Sequence, residues 1–467
     1  MYIMRNKYLI ALACLLLAGI TVWWFLRDSD KARNILPQEA TAVAVVEPSE
    51  LLDGFGFDPT KAGKLVFNMD DVAKGIDLTK PAYIFMTKSG FSGITLNVRD
   101  EEKLLKVFSS LGLASEEKNG FQWVGSNDIV GCLDSDKMLL CIAAEAEQDA
   151  LRNDLERLMK QSRQDMPLLE RANRQKGFLR LCASLSSLPK SQLPRGYDAS
   201  GAFVSAAMAV GNQDITLSAR IEDENGKPYS GRLAGEELLQ PIQGSVPTIL
   251  PDDAFAWFCL GIKGEQLLRI LRSCSPQLSS TLMALNVAFF DADLLLKAID
   301  GDVIFMQPKA DFTQREMLVT AHISNSDFLK EAKDWNTTST QGGMSLRKRG
   351  EADDYVFTFR NEKLYFGVRG EMLYLSSSER LADRILQESE QGSLQPMAAG
   401  KYLCGTVDVG KLLKDNPAAT LLLAAVPPVA KAVRALDKFE VTCPTSQSIE
   451  LRLKTNEPVK EIMSSLW

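Results

Sequence analysis

The segment "ILPQEATAVAVVEPSELL", beginning at Ile35, is followed much later by "ILPDDAFAWFCLGIKGEQLL", beginning at Ile249. Further parallels follow in the same order. "IDLTKPAYIFM" (Ile76 to Met86) is answered by "IDGDVIFM" (Ile299 to Met306), and "ITLNVRDEEKLLK" by "LVTAHISNSDFLK". "IVGCLDSDKMLLC" matches "YFGVRGEMLYL", each two apolar runs about a short polar turn, which is a hairpin signal. Both stretches then enter a charged amphipathic segment, Glu145 to Gln161 and Ser377 to Gln391, with apolar residues at helical spacing. Ordered repetition of this kind constrains the fold more than any single motif. It predicts two tandem copies of one module, residues 35–245 and 246–467, meeting near the aperiodic Pro/Gly-rich stretch Leu239 to Pro251.

Within each copy, hairpins and alternating runs such as "SIELRLKT" predict an α+β fold. The expected module is a mostly antiparallel sheet with helices on one face and water on the other. The shared letters of the "YIFM" and "VIFM" strands place Ile84, Phe85 and Met86 in the positions of Ile304, Phe305 and Met306. The second copy carries an insertion, Asn416 to Leu436, read as a helix on the sheet that stops at Pro427-Pro428.

Before the first copy lies "YLIALACLLLAGITVWWFL", Tyr8 to Leu26, uncharged and close to the ~20 residues that span a bilayer. Arg5 and Lys7 precede it, and Trp23, Trp24 and Phe25 lie at its far end, where aromatic rings favour the interface. Residues 1–34 therefore read as a cytoplasmic tip, a transmembrane helix (8–26) and a short linker. This is an inner-membrane anchor that places the remaining chain in the periplasm. The apolar run continues past Ala18-Gly19, which disfavours cleavage. A lipoprotein modified at Cys14 is the alternative.

The net charge of -7 and pI near 5.2 argue against a nucleic-acid partner. The one compact basic run, Arg347 to Arg349, reads as a solvated turn between strands. Seven cysteines follow the anchor without a Cys-x-x-Cys, and five lie inside apolar runs, where cysteine behaves as a small buried hydrophobe.

An N-terminal anchor, an "LP-x-x-A-x-A" strand, a "YIFM" strand and a two-fold repeat together resemble a family of Bacteroidetes cell-envelope proteins carrying a domain-of-unknown-function label. The resemblance implies an envelope location and brings no catalytic residues with it.

Motifs that would name a reaction are missing. The single histidine, His322, lies in the strand-like "LVTAHIS" and reads as structural. No Gly-x-Ser-x-Gly elbow, His-Glu-x-x-His or phosphate loop occurs. No metal ligand set or cofactor is expected. The remaining candidates are carboxylates that recur in both copies, Glu39 with Asp253 and Asp77 with Asp300, each beside a turn or strand entrance. The expectation is a membrane-anchored, non-enzymatic envelope protein that binds a partner protein or an apolar ligand at the cleft between repeats. A carboxylate-dependent periplasmic hydrolase is the alternative.

Overall fold

The computed structural model describes residues 30–56, 69–142, 148–161, 165–188, 198–229, 238–244, 254–274, 292–310, 316–330, 344–350, 353–359, 362–387, 398–415 and 427–464. The 8–26 segment, Cys14, Pro251 and Asp253 lie outside these residues. No described helix is long and apolar enough to cross a membrane. Packing divides the chain into two compact units. The first gathers the described residues up to Leu188, then Ser200–Tyr229 and the chain from Thr455 onward; the second takes most of the intervening chain up to Lys454.

The strands of the first unit are β1 (Ala40–Val46), β2 (Ala82–Thr87), β3 (Ser92–Asn97), β4 (Ala114–Lys118) and β5 (Phe121–Ser126). They continue with β6 (Ile129–Asp134), β7 (Lys137–Ile142), β8 (Leu179–Ser184), β9 (Phe203–Val210) and β10 (Asp214–Glu222). Every pairing is antiparallel, in the order β4-β5-β6-β7-β3-β2-β1-β8-β9-β10. The helices are α1 (Lys31–Asn34), α2 (Pro48–Phe55), α3 (Met69–Gly75), α4 (Glu101–Ser110), α5 (Gln148–Met159) and α6 (Pro167–Asn173), and a last helix, Val459–Ser464, comes from the chain beyond Thr455. Asp100 caps α4 through the Lys103 amide (3.1 Å), satisfying one of the donors a helix start leaves open.

Both faces of this sheet are covered, which corrects the expectation of helices on one face. Val43, Val45, Tyr83, Phe85, Leu139 and Cys141 share one core with Leu155 of α5 and Leu169 of α6. Residues that alternate with these along the strands, Val46, Ala82 and Met138, share a second core with Leu51 of α2 and Leu104 of α4. The strands "AVAVV" and "MLLCI" explain the difference. They are near-continuous apolar runs, the pattern of a strand buried on both sides, whereas "SIELRLKT" alternates. Full burial of each such side chain contributes roughly 1.5–3 kcal/mol.

In the second unit the strands are β11 (Leu239–Gln240), β12 (Ala256–Lys263), β13 (Ile299–Gln307), β14 (Leu318–Ile323), β15 (Met344–Lys348) and β16 (Asp354–Phe359). β17 (Glu362–Arg369), β18 (Met372–Ser376), β19 (Leu403–Asp408), β20 (Leu436–Thr445) and β21 (Ser448–Thr455) follow. Pairing runs β15-β16-β17-β18-β14-β13-β12-β19-β20, again antiparallel throughout. The helices are α7 (Gly264–Cys274), α8 (Ala292–Ala298), α9 (Glu379–Gln387), α10 (Val409–Asp415) and α11 (Pro427–Arg434). Pro427 and Pro428 open α11, and the apolar stretch 418–426 that they were expected to end lies outside the described residues. A missing amide is tolerated in the first turn, where it has no intrahelical partner.

Strand for strand, the pairing order from β4 to β9 recurs from β15 to β20. The register differs from the one the letters imply. Phe85 lies opposite Val43, and Met306 opposite Trp257. Phe85 faces the core shared with α5, and Met306 with Ile304 faces the core shared with α9. Tyr83 and Phe85 thus correspond to Ile304 and Met306, one residue away from the match of the letters "IFM". A slip of one residue exchanges the two faces of a strand. With both faces apolar, letter matching alone does not reveal it.

Candidate functional site

The polar groups worth weighing are those drawn inside. In the second unit, Arg349 sits just after β15, beside Gly350, whose φ of 67° is readily adopted by glycine. Its guanidinium is hydrogen-bonded to Asp383 and lies 3.7 Å from Glu379, both on one face of α9, and 3.8 Å from Asp354 of β16. It also stacks 4.9 Å over the ring of Tyr365. Tyr374, fully buried, donates its hydroxyl to Asp354, and Tyr365 donates to Glu379 at 3.4 Å. The expected solvated turn is therefore corrected: Arg347 and Lys348 are exposed but belong to strand β15, and Arg349 is drawn against the carboxylates.

Burial works against the charge of Arg349. Even so, the bond to Asp383 and the carboxylates of Asp354 and Glu379 hold its pKa above the ordinary arginine value. Burial and the Asp354 hydrogen bond push the Tyr374 phenol well up. A phenol so shifted is a poor base or nucleophile at neutral pH. The cluster fastens α9 onto the outer hairpin β15–β16.

The first unit fastens its corresponding helix with the signs exchanged. Arg152 of α5 is hydrogen-bonded to Glu116 of the outer strand β4 and lies 5.2 Å over Trp123 of β5. In both units an arginine spans helix and outer hairpin while resting on an aromatic ring. In one it comes from the helix, in the other from the hairpin turn.

Two more polar centres occur in the first unit. Asp30 accepts from the Arg33 amide and from Asn97 Nδ2 (3.2 Å each), and from the Tyr83 hydroxyl. Asn97 Oδ1 in turn accepts from the amides of Lys31 (2.9 Å) and Ala32 (3.2 Å). The pair pins α1, which lies in the stretch expected to be a linker, to the sheet. Elsewhere Arg171 of α6 and Glu222 of β10 form a buried pair at 3.7 Å.

Burial raises the Asp30 pKa, its hydrogen bonds opposing the rise only in part. A carboxyl with a raised folded pKa favours folding when protonated, and that contribution is lost as pH rises through the folded pKa. The expected result is that Asp30→Asn gains on the parent protein as pH rises above the ordinary carboxylate value, measured as the difference in hydrogen-exchange protection of β2 and β3 peptides between variant and parent at each pH. A deficit that is constant with pH would show that the carboxylate acts only as a helix cap.

The recurring carboxylates do not come together. Glu39 is exposed and 3.6 Å from Arg157 of α5. Asp77 accepts from the Thr79 amide and hydroxyl (3.3 and 3.1 Å) and pairs with Lys80 at 2.9 Å, which is a local turn. Asp300, on β13, accepts from Gln240 Nε2 at 3.2 Å. His322 bonds the Asp300 carbonyl through Nδ1 (2.6 Å). Among the described residues, no group of three or more His, Cys, Asp and Glu side chains is placed to hold a metal. The sequence reading placed Arg349 in a solvated turn and gave no role to Glu222 or Asp30. Only Asp30 carried a legible signal, an acidic residue three places before Arg33 at a helix start.

A family model described as domain of unknown function DUF4836 matches residues 58–391. The chain belongs to this family. No curated protein matches it. Among solved structures, this member of the family is similar to crystal form I of TP0453, at 12% identity and a TM-score of 0.29, covering 42% of this chain and 81% of that one. It is likewise similar to crystal form III, at 12% identity and a TM-score of 0.30, covering 44% and 83%.

Proposed function

We propose that this chain is an inner-membrane-anchored envelope protein of the Bacteroidetes type, built from two copies of one α+β module (35–245 and 246–467). In this reading it holds a partner protein or an apolar ligand on the periplasmic side and carries out no reaction. One observation supports it above others: the helix-to-hairpin fastening recurs with its charges reversed. A reaction retained in both copies would tie particular side chains to particular places. Here the mechanical role recurs and the residue types do not. Glu39, Asp77 and Asp300 are likewise engaged in local bonds.

The test is capture from cross-linked envelopes with the full chain carrying Glu39→Gln, Asp77→Asn and Asp300→Asn together. Unchanged recovery of a defined partner or bound lipid supports a binding role. A hydrolytic activity in the parent that the triple variant lacks would replace it with the carboxylate enzyme. For the anchor, the mature protein is expected to retain residues 1–26 and to stay in the membrane through a high-salt wash, because apolar transfer rather than charge holds a spanning helix. A mature N-terminus at Cys14 or near Ile20 would overturn the anchor.

A further inference from the structure

We propose that Cys259 and Cys404 form a reversible cross-strand disulfide, the product of thiol–disulfide exchange with a small or protein disulfide. The two lie directly opposite each other in the β12–β19 ladder, and both are buried, at 2% and 3% exposure. Which kind of opposed pair they make follows from the ladder's ends. Gly261 donates its amide to Tyr402 (3.2 Å), and Asp408 donates to Phe255 (2.8 Å). Hydrogen-bonded and non-hydrogen-bonded pairs alternate in an antiparallel ladder, so Cys259/Cys404 is a hydrogen-bonded pair.

Such a pair has its Cα atoms about 5.5 Å apart, inside the range a disulfide spans. Its Cβ atoms stand at the wide end of about 4.5–5.5 Å, so closing the bond must draw them together by roughly 1 Å. A bond closed under that strain is readily reduced, which makes the site switch-like and not a permanent staple. The other cysteines with described side chains lack this geometry. Cys132 lies opposite Leu139 and Cys141 opposite Val130, so those two are diagonal neighbours. Diagonal positions lie about 7–8 Å apart, beyond a disulfide's reach. Cys182 lies opposite Val43. Cys443 lies opposite Leu403, hence on the sheet face away from Cys404.

The thiols also divide the work. The hydrogen bond from Cys259 lowers the Cys404 pKa, and the same contact with burial raises that of Cys259. Either thiol can donate to the other's thiolate, and the Lys401 charge favours Cys404 as the attacking one. It displaces one thiolate from the oxidising disulfide, giving a mixed disulfide. Cys259 then loses its proton and attacks the Cys404 sulfur, expelling the second thiolate. Two protein thiols lose two electrons and two protons, and one external disulfide becomes two thiols. Because both sulfurs are buried, exchange requires local opening of β19 and should be slow in native buffer and faster in sub-denaturing urea.

The experiment treats the full chain in detergent micelles with oxidised glutathione in sub-denaturing urea. Remaining thiols are then blocked and the peptides mapped by mass spectrometry. The expected product is a peptide pair joined through Cys259 and Cys404, lighter by two hydrogens and split by a mild thiol reductant. Free thiols at these positions should fall by two, with Cys132, Cys141 and Cys182 recovered reduced. Cys443→Ser should leave the product unchanged, and mapping of the parent protein requires no substitution that could disturb folding. Recovery of Cys259 and Cys404 as free thiols or separate glutathione adducts, or a bond from either to Cys443, would overturn the proposal.

Discussion

Replacing Glu222 with alanine is expected to cost the first unit about 3–5 kcal/mol, the penalty for leaving one member of a buried ion pair alone. The Glu222 side chain is 2% exposed and that of Arg171 8%. Glu222 Oε1 accepts from the Ser205 hydroxyl (2.7 Å) and faces Arg171, while Oε2 accepts from Arg220 Nε (2.9 Å). Arg171 cannot follow its lost partner into water. It is held by hydrogen bonds to the carbonyls of Asp223 (2.7 Å) and Glu224 and lies 4.3 Å over the Phe203 ring. Removing the carboxylate leaves a buried guanidinium with carbonyls and only the partly exposed Asp223 carboxylate as a countercharge.

Glu222→Gln retains the shape and the Ser205 contact, so it should cost less than alanine. Replacing the pair together, Arg171→Met with Glu222→Leu, should recover much of the loss, since apolar side chains of similar volume can substitute for a buried pair. A two-unit chain has no single unfolding free energy. The readout is therefore hydrogen exchange of β9 and β10 peptides. A change under about 1 kcal/mol for Glu222→Ala would mean that water reaches Arg171 and the pair is not a buried one.

How far these features could be read from the chain depends on what each residue type reveals locally. The hairpin β6–β7 was legible because "IVGCL" and "MLLC" flank a polar turn. Helix α5 was legible because Leu151, Leu155 and Leu158 recur at helical spacing. The hairpin β4–β5 was not: "ASEEK" is exposed at every position, and an edge strand held by one neighbour needs no apolar face. Both fastening clusters stayed hidden for a different reason. Arg349 is separated in sequence from Asp383, and Arg152 from Glu116, so only the fold brings them together. An arginine beside a glycine carries the same local signal whether it ends in water or against three carboxylates. The duplicated carboxylates were legible as a pattern, but capping a turn leaves the same trace as catalysis. Asp77 with Thr79 and Lys80 is the example.

The register of the "IFM" strands yields the other large expected effect. Phe85→Ala should destabilise the first unit by roughly 3–5 kcal/mol, the range for removing a fully buried phenylalanine. Phe85 is 1% exposed, lies opposite Val43 and meets Phe91 edge-on at 5.9 Å. Its neighbour Met86 is 37% exposed, so Met86→Ala should stay within about 0.5 kcal/mol. In the second unit the ranking should invert. Met306→Ala should cost roughly 2–5 kcal/mol, because Met306 is 1% exposed against the core of α9. Phe305→Ala should cost less than Met306→Ala and less than Phe85→Ala, since Phe305 is only half-buried and meets Phe258 at 6.5 Å between ring centres. Hydrogen exchange of β1–β2 and β12–β13 peptides in the four variants reads each unit separately. The inversion is what a one-residue shift produces when the two faces of a strand look alike in sequence but meet different helices. If Phe305→Ala were as costly as Phe85→Ala and Met306→Ala nearly neutral, the letters would be aligned as they stand. Met306 would then face outward like Met86, and the correspondence of cores between the units would have to be redrawn.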